Sequence, residues 1–241
     1  HARFYAPANA TLVISGALPE EEVRRLVETH YGAIPARAVA KRDRAPAPAE
    51  AAEPRLIRRD PMTRDALFLK AWMAPSLTAG ERAHALPLEV LSHLLGGGQG
   101  SRLHKALVET GLAVSAGTGY DGDAAGMTEF YFSAMPRPGV TPERLEEAAN
   151  AVFATFIQEG PTEAEVARSI RQLTAGALLT LDGFGAAPRM VGGTLAIGLP
   201  LEMVEFWPAR ISAVTRDQVE AAGRAVLASA PNTAAWLLPQ A

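Results

Sequence analysis

Residues 94–117, LLGGGQGSRLHKALVETGLAVSAG, contain the stretch that decides the fold. An apolar segment over 81–95 runs into it and has the residue spacing of a helix. Consecutive glycines cost about 1 kcal/mol each inside a regular element, so they predict a loop over 96–101. Ser101 is then the expected N-cap of a short helix over 101–110.

Two pairs of strands are predicted around this loop. Residues 112–120 (LAVSAGTGY) and 128–135 (TEFYFSAM) are expected to pair across the Gly/Asp-rich turn at 121–126. Residues 55–60 and 65–74 predict two earlier strands around a polar turn. With the helices, these strands indicate a mixed α and β domain.

The second half of the chain is predicted to be mostly helical. Thr141-Pro142-Glu143 is a strong helix start, and apolar residues recur after it at helical spacing. Thr162 with Glu165, and Thr215 with Gln218, form capping boxes that are typical of helix starts.

The amino-terminal region predicts a different organisation. Residues 10–16 (ATLVISG) are β-branched and apolar, which predicts a buried strand, and a helix is expected after Pro19. The stretch at 36–53 is rich in Ala, Pro and charge and has no sustained apolar period. It predicts an extended linker.

A short similarity relates the two ends of the chain. PANATLVISGAL places Pro-x-Asn before the strand at 10–16, and APNTAAWLLPQ places Pro-Asn before a strand predicted at 233–238. With the linker, this predicts that residues 1–35 are the strand-helix tail of a preceding repeat. Residues 54–241 would then be a complete second copy.

Composition narrows the class of function. The net charge of −3 and the pI near 6.0 argue against nucleic acid or an anionic membrane as the main partner. No apolar run reaches the roughly 18–20 residues that a bilayer span requires. The absence of Cys excludes thiolate nucleophiles and cysteine-based metal sites, and it leaves the compartment undecided.

The glycine-rich loop is the candidate binding site. Its residues are Gly96, Gly97, Gly98, Gly100, Ser101 and Arg102. A loop before a helix start presents free N–H groups that can hold an anion or a peptide carbonyl. The loop matches neither phosphate-binding pattern, G-x-x-x-x-G-K-[ST] or G-x-G-x-x-G, and it follows a helix. A flexible corner between helices and a peptide-facing loop both remain open.

Catalytic patterns are missing from the sequence. No histidine belongs to an HExxH or HxxEH motif, and no serine lies in a G-x-S-x-G elbow. Glu89 and His93 are one helical turn apart, but a zinc site needs three or four ligands. They are interpreted as an ordinary polar pair on a helix.

Three stretches together resemble the insulinase/pitrilysin-type (M16) zinc peptidases, the family that includes mitochondrial processing peptidase. They are FYAPANATLVISGALPEEEVRRLVETHYGAIP at 4–35, the stretch at 94–117, and ISAVTRDQVEAAGRAVLASAPNTAAWLLPQ at 211–240. In order and spacing they cover nearly the whole chain. The resemblance implies an α+β fold of the LuxS/MPP-like class, in which a mostly antiparallel β-sheet is packed with helices. Two such halves would close around a peptide.

The resemblance also implies where the chemistry lies. Active members carry H-x-x-E-H in the first half, where two His and a Glu hold zinc. That motif would fall upstream of His1, so no metal and no catalytic residue are expected in this chain. Some members add an Arg and a Tyr near the scissile carbonyl, but those positions here are Leu107 and Val114. Neither side chain can stabilise an oxyanion.

The resemblance therefore implies a non-catalytic carboxy-terminal domain of a zinc metalloendopeptidase that walls the peptide chamber and supports assembly. The expected partners are the amino-terminal half or a paired M16-like chain, a peptide substrate and, as one form of assembly, a dimer. The alternative is an inactive scaffold subunit of the same fold, as in respiratory-complex core proteins. A third hypothesis is an independent small-ligand enzyme that uses the glycine loop. The expected compartment is a bacterial periplasm or cytoplasm.

Overall fold

The computed structural model describes residues 4–39, 55–181, 183 and 185–240. Most of the predicted linker at 36–53 lies outside these residues, and 36–39 form neither helix nor strand. The helices are α1 Glu20–His30, α2 Ala85–Gly96, α3 Pro142–Glu159, α4 Glu163–Leu181, α5 Ala186–Ala196, α6 Glu202–Glu205, α7 Trp207–Ser212 and α8 Arg216–Leu227. The strands are β1 Arg55–Asp60, β2 Leu67–Ala74, β3 Ala113–Tyr120, β4 Thr128–Pro136 and β5 Thr233–Pro239. Short 3-10 turns lie at Pro7–Asn9 and Arg82–His84, and a π-helical turn lies at His104–Val108.

The chain divides into two compact units. The first comprises His1–Ala47 and Leu178–Phe206, and the second comprises Pro48–Ala177 and Trp207–Ala241. The second unit contains all five strands. Among the described residues, no helix has the length and apolar character needed to cross a membrane.

The five strands form one sheet in the order β1-β5-β2-β4-β3. β2 pairs antiparallel with β4 and β5, and β3 pairs antiparallel with β4. β1 and β5 are parallel, with Arg55 opposite Ala234. The predicted strands at 55–60, 65–74, 112–120, 128–135 and 233–238 are therefore confirmed. The sheet is mostly antiparallel and packed with helices, which confirms the predicted α+β fold class.

The core of the second unit lies between the sheet and its helices. Aromatic side chains from the strands fill it, and Phe68 stacks on Trp236 with 4.7 Å between ring centroids. Phe153 of α3 meets Phe132 edge-on at 5.6 Å. Gly223 of α8 has no room for a side chain, because a Cβ there would lie 2.4 Å from the Phe156 ring. The apolar spacing predicted for α3 is thus the spacing of its buried face.

The predicted helix starts are formed. The Thr141 hydroxyl accepts from the amide of Arg144, and Thr215 and Gln218 form a reciprocal capping box. Thr162 and Glu165 form the other box, at the start of α4. Each box satisfies amides that the first turn of a helix leaves without a partner.

The first unit contains α1, α5 and α6, and it corrects one prediction. Residues 10–16 form no strand and are mostly exposed; Leu12 and Ile14 are 48% and 52% exposed. β-branched residues favour extended backbone, but a strand also needs a neighbour that bonds its N–H and C=O groups. Within the described part of the chain, none of the five strands pairs with 10–16. The helix predicted after Pro19 is confirmed as α1.

Candidate functional site

The glycine-rich loop begins where α2 crosses β3 at very short distance. A Cβ on Gly96 would lie 2.1 Å from the amide nitrogen of Thr118 and 2.7 Å from the carbonyl carbon of Gly117. No side chain fits there, so glycine is required by packing. The Thr118 hydroxyl donates to the carbonyl of Ser92 at 2.6 Å, which fixes the end of α2 on the strand.

The next two glycines turn the chain away from α2. A Cβ on Gly97 would meet the His93 ring at 2.6 Å, and Gly98 has a φ of +98°, which side chains rarely adopt. The residues from Gly97 to Gln99 are exposed. Together they form the tip of the loop.

The carboxyl end of the loop is held by α4. The Arg168 guanidinium donates to the carbonyl of Gly100 at 3.1 Å. Ser101 is buried, and its hydroxyl accepts from the amide of His104 at 3.3 Å, so the predicted N-cap is confirmed. A helical turn follows, as predicted, although residues 104–108 form its wider π variant.

Arg102 makes the strongest contacts of the loop. Its Nε and Nη2 atoms donate to the two carboxylate oxygens of Glu165 at 2.7 Å each. Nη2 also donates to the carbonyl of Gly160 at 2.9 Å, at the end of α3. The guanidinium lies 5.9 Å from the centre of the Phe156 ring. Arg102 therefore joins the loop to α3 and α4 rather than presenting its charge at the tip.

The carboxylate of Glu165 is correspondingly stabilised. Burial alone would raise its pKa, but hydrogen bonds from Arg102 and Thr162, together with the Arg102 charge, outweigh burial and hold the pKa at about 2. The pair therefore stays ionised over the physiological range of pH. The loop thus has a rigid base and an exposed tip.

A second site, not foreseen as a site, is a small acidic pocket of about 110 Å³ beside α2. Its polar lining consists of Glu89, Tyr120, Asp121, Asp123 and Trp207. The indole Nε1 of Trp207 donates to Oε2 of Glu89 at 3.2 Å. Glu89 thus bonds across the pocket, and the expected pairing with His93 is replaced by this contact. In the sequence, this site could have been suspected from a charged Glu89 between the apolar Leu88 and Val90. Both neighbours are fully buried in the structure.

Burial governs the titration of this pocket. It raises the pKa of Glu89 to about 7, with smaller increases from Asp123 and Asp121, against the hydrogen bond from Trp207. The pKa of Asp123 is also raised, by desolvation and by Asp121, with Arg210 opposing. Burial and the neighbouring Glu89 raise the pKa of Tyr120.

The described residues offer no set of ligands for a catalytic zinc ion. Within 4–39, 55–181, 183 and 185–240, no three His, Asp or Glu side chains are grouped so that they could hold a metal. Leu107, at the position of the auxiliary Arg, is fully buried, and Val114, at the position of the Tyr, is apolar.

Comparison with known proteins places the chain in a family. The model described as "Peptidase M16 inactive domain" matches residues 1–173. No curated protein matches the chain.

Solved structures share its fold at low sequence identity. A protease from Helicobacter pylori has a TM-score of 0.80 and 15% identity, over 92% of this chain and 53% of that chain. The peptidase M16 inactive domain from Pseudomonas fluorescens has a TM-score of 0.75 and 19% identity, over 93% and 52%. The periplasmic protease PqqL from Escherichia coli has a TM-score of 0.64 and 16% identity, over 93% and 25%. The chain spans about half the length of the first two structures. Because the family model covers most of its residues, the chain belongs to the peptidase M16 inactive-domain family.

Proposed function

We propose that this chain is the non-catalytic carboxy-terminal half of a zinc metalloendopeptidase, where it walls the peptide chamber and supports assembly. The observation that carries the proposal is its membership of the inactive-domain family at about half the length of the structures it resembles. The absence of both HxxEH and HExxH from its sequence agrees with this role.

The zinc site in this proposal belongs to the amino-terminal half, upstream of His1. There a metal would polarise the scissile carbonyl and activate a water molecule. This chain would contribute shape and backbone groups to the chamber, and no proton transfer. A bacterial periplasm or cytoplasm would be its compartment; the similar protease PqqL is periplasmic.

The glycine-rich loop is proposed as the peptide-facing element of this half. Gly96, Ser101 and Arg102 would form its fixed base. Gly96 packs against β3, Ser101 caps the following helical turn, and Arg102 pairs with α4. The exposed tip, Gly97 and Gly98 with Gln99, and the adjoining Gly100 would meet the peptide. Backbone groups without large side chains allow a peptide to approach closely. A rigid base limits the entropy lost when the peptide binds.

The first unit supports the proposed partner. Its apolar side chains are unusually accessible: Leu12, Ile14, Leu18, Tyr31 and Ile34 are 46–56% exposed. Burial of such side chains stabilises an interface by about 25 cal/mol per Å². We propose residues 1–35 as the tail of the preceding repeat, which would bury this surface against the amino-terminal half. A paired chain of the same fold would be the other way to cover it.

Reconstitution tests the proposal. Peptide hydrolysis is measured for this chain alone, for the amino-terminal half alone and for the two mixed at equal concentration. We expect activity only with both halves, because each lacks part of the chamber. Full activity of the amino-terminal half alone would contradict a supporting role. No activity of the mixture, with stable association of the halves, would favour the inactive scaffold subunit instead.

A further inference from the structure

The acidic pocket at α2 has a geometry that the proposed function does not use. Glu89 projects from the mostly apolar helix α2 and lines a space together with residues of the β3–β4 turn. That turn carries Asp121 and Asp123 at the pocket mouth. Three residues with carboxyl side chains, the half-buried Glu89 and the exposed Asp121 and Asp123, therefore line one cavity of about 110 Å³.

The turn is attached to the domain by a few hydrogen bonds. The amide of Leu77 donates to the carbonyl of Gly122 at 2.9 Å, and the Thr78 hydroxyl donates to the carbonyl of Ala124 at 2.8 Å. The Tyr120 hydroxyl donates to the carbonyl of Pro75 at 2.6 Å. These contacts join the turn to the loop at 75–79, which forms the side wall of the pocket.

Trp207 also lines the pocket, and it is the first residue of the returning segment of the second unit. Its indole donates to Glu89, so this bond anchors the start of α7 to the middle of α2. Arg210, on the same helix, opposes the charge of Asp123. The titratable groups that line the pocket with Glu89 are thus Asp121, Asp123 and Tyr120, and the charge of Arg210 acts on Asp123.

We propose that this pocket is a pH-responsive latch in which neutral Glu89 lets the Asp121–Asp123 turn close on α2, and ionised Glu89 repels and loosens it. The lining of one small cavity by three residues with carboxyl side chains carries the proposal. When Glu89 is neutral, Asp121 and Asp123 meet no negative charge from α2, and Arg210 lies near Asp123. When Glu89 ionises, a negative charge is added at a half-buried position close to the exposed Asp121 and Asp123, and like charges repel each other there.

The direction of the pH effect follows from the burial of Glu89. The pKa of Glu89 is about 7 in the folded chain, above the ordinary value of 4.5 for a glutamate. A raised pKa means that the folded state holds the proton more tightly, so the stability it contributes is full below pH 4.5. That contribution is lost as the pH rises toward and through 7. His93, on the same helix, acts in the opposite direction because burial lowers its pKa.

The test compares the chain with Glu89→Gln, which keeps the hydrogen-bond acceptor and removes the charge. Tryptophan emission and the protection of the Leu77 amide are followed from pH 5 to pH 8.5, where protection is the exchange rate of an unprotected amide at the same pH divided by that of Leu77. We expect both signals to change with a midpoint near 7 in the unmodified chain, with Leu77 protection at least roughly tenfold lower at the upper end. Glu89→Gln should give a flat profile with high protection throughout.

Two further variants keep the test decisive if Glu89→Gln folds poorly. Trp207→Phe should remove the pH-dependent part of the emission, because Trp72 and Trp236 are buried in the core. Glu147→Gln makes the same change at an exposed position of α3 and should leave the unmodified profile. The proposal is overturned if the protection of the Leu77 amide does not fall between pH 5 and 8.5, or falls equally in Glu89→Gln. It is also overturned if the emission change persists in Trp207→Phe.

Discussion

Arg102 and Glu165 form a two-point ion pair, with 2.7 Å at both nitrogen–oxygen contacts and only 18% of each side chain exposed. The pair connects the residue that ends the glycine-rich loop to the first turn of α4. A bidentate arginine–carboxylate contact fixes orientation as well as distance. The exposed tip of the loop therefore stands on a base that two helices hold in place.

Loss of the arginine should destabilise the domain. Arg102→Ala leaves Glu165 charged and partly buried without its main partner, which costs about 3 kcal/mol for a pair of this kind. Urea unfolding monitored by circular dichroism measures the change. Glu163→Gln, an exposed position in the same helical turn, is the matched control and should cost less than about 0.5 kcal/mol. An equal cost for both variants would show that the ion pair contributes nothing specific.

The same pair should determine part of the acid sensitivity. The pKa of Glu165 is about 2 when folded, below the ordinary value of 4.5 for a glutamate. A lowered pKa gives stability that is present above pH 4.5 and is lost as the pH falls toward 2. The free energy of unfolding of the unmodified chain should exceed that of Glu165→Gln near neutral pH, and the gap should narrow below pH 4. A gap independent of pH would exclude this titration as its source.

The close approach of α2 to β3 predicts a severe effect at one glycine. In Gly96→Ala the added Cβ would lie 2.1 Å from the Thr118 amide nitrogen, and the backbone on both sides has to move. We expect a loss of about 2–3 kcal/mol in the free energy of unfolding, typical of overpacked sites. Gly176→Ala, which has nothing within 4 Å of the new atom, should change stability little or increase it slightly. Similar losses for both would contradict the packing argument.

Peptide handling should depend on the loop tip and not on glycine strain in general. Gly98 and Gly139 both have positive φ, +98° and +86°, and both have open space at the Cβ position. Their alanine variants should therefore lose similar stability, about 1 kcal/mol each. With the amino-terminal half present, only Gly98→Ala should raise KM for peptide hydrolysis by several-fold. Equal KM values for the two variants would show that the loop does not contact the peptide.

The sequence predicted the elements that depend on local signals. Thr162 with Glu165, and Thr215 with Gln218, identified helix starts because capping is a contact between residues three apart. The pairing of β3 with β4 could also be predicted from the sequence, because one short turn connects the two strands.

What the sequence could not supply are contacts between distant residues. The insertion of β5 between β1 and β2 depends on pairing across most of the chain, and no local pattern encodes it. The bond between Glu89 and Trp207 joins residues 118 positions apart. At residues 10–16 the local pattern led to a wrong prediction. Their β-branched composition predicts a buried strand, but composition does not supply a pairing neighbour. The substrate-facing role of the loop stays a prediction.

Metal analysis of the purified chain tests the central claim most directly. The chain is exchanged into buffer with zinc, freed of loosely bound metal by gel filtration, and its zinc content is measured together with peptide hydrolysis. We expect far less than one zinc per chain and no hydrolysis, because the catalytic ligands would belong to the amino-terminal half. About one tightly held zinc per chain, accompanied by peptide cleavage, would contradict a non-catalytic half.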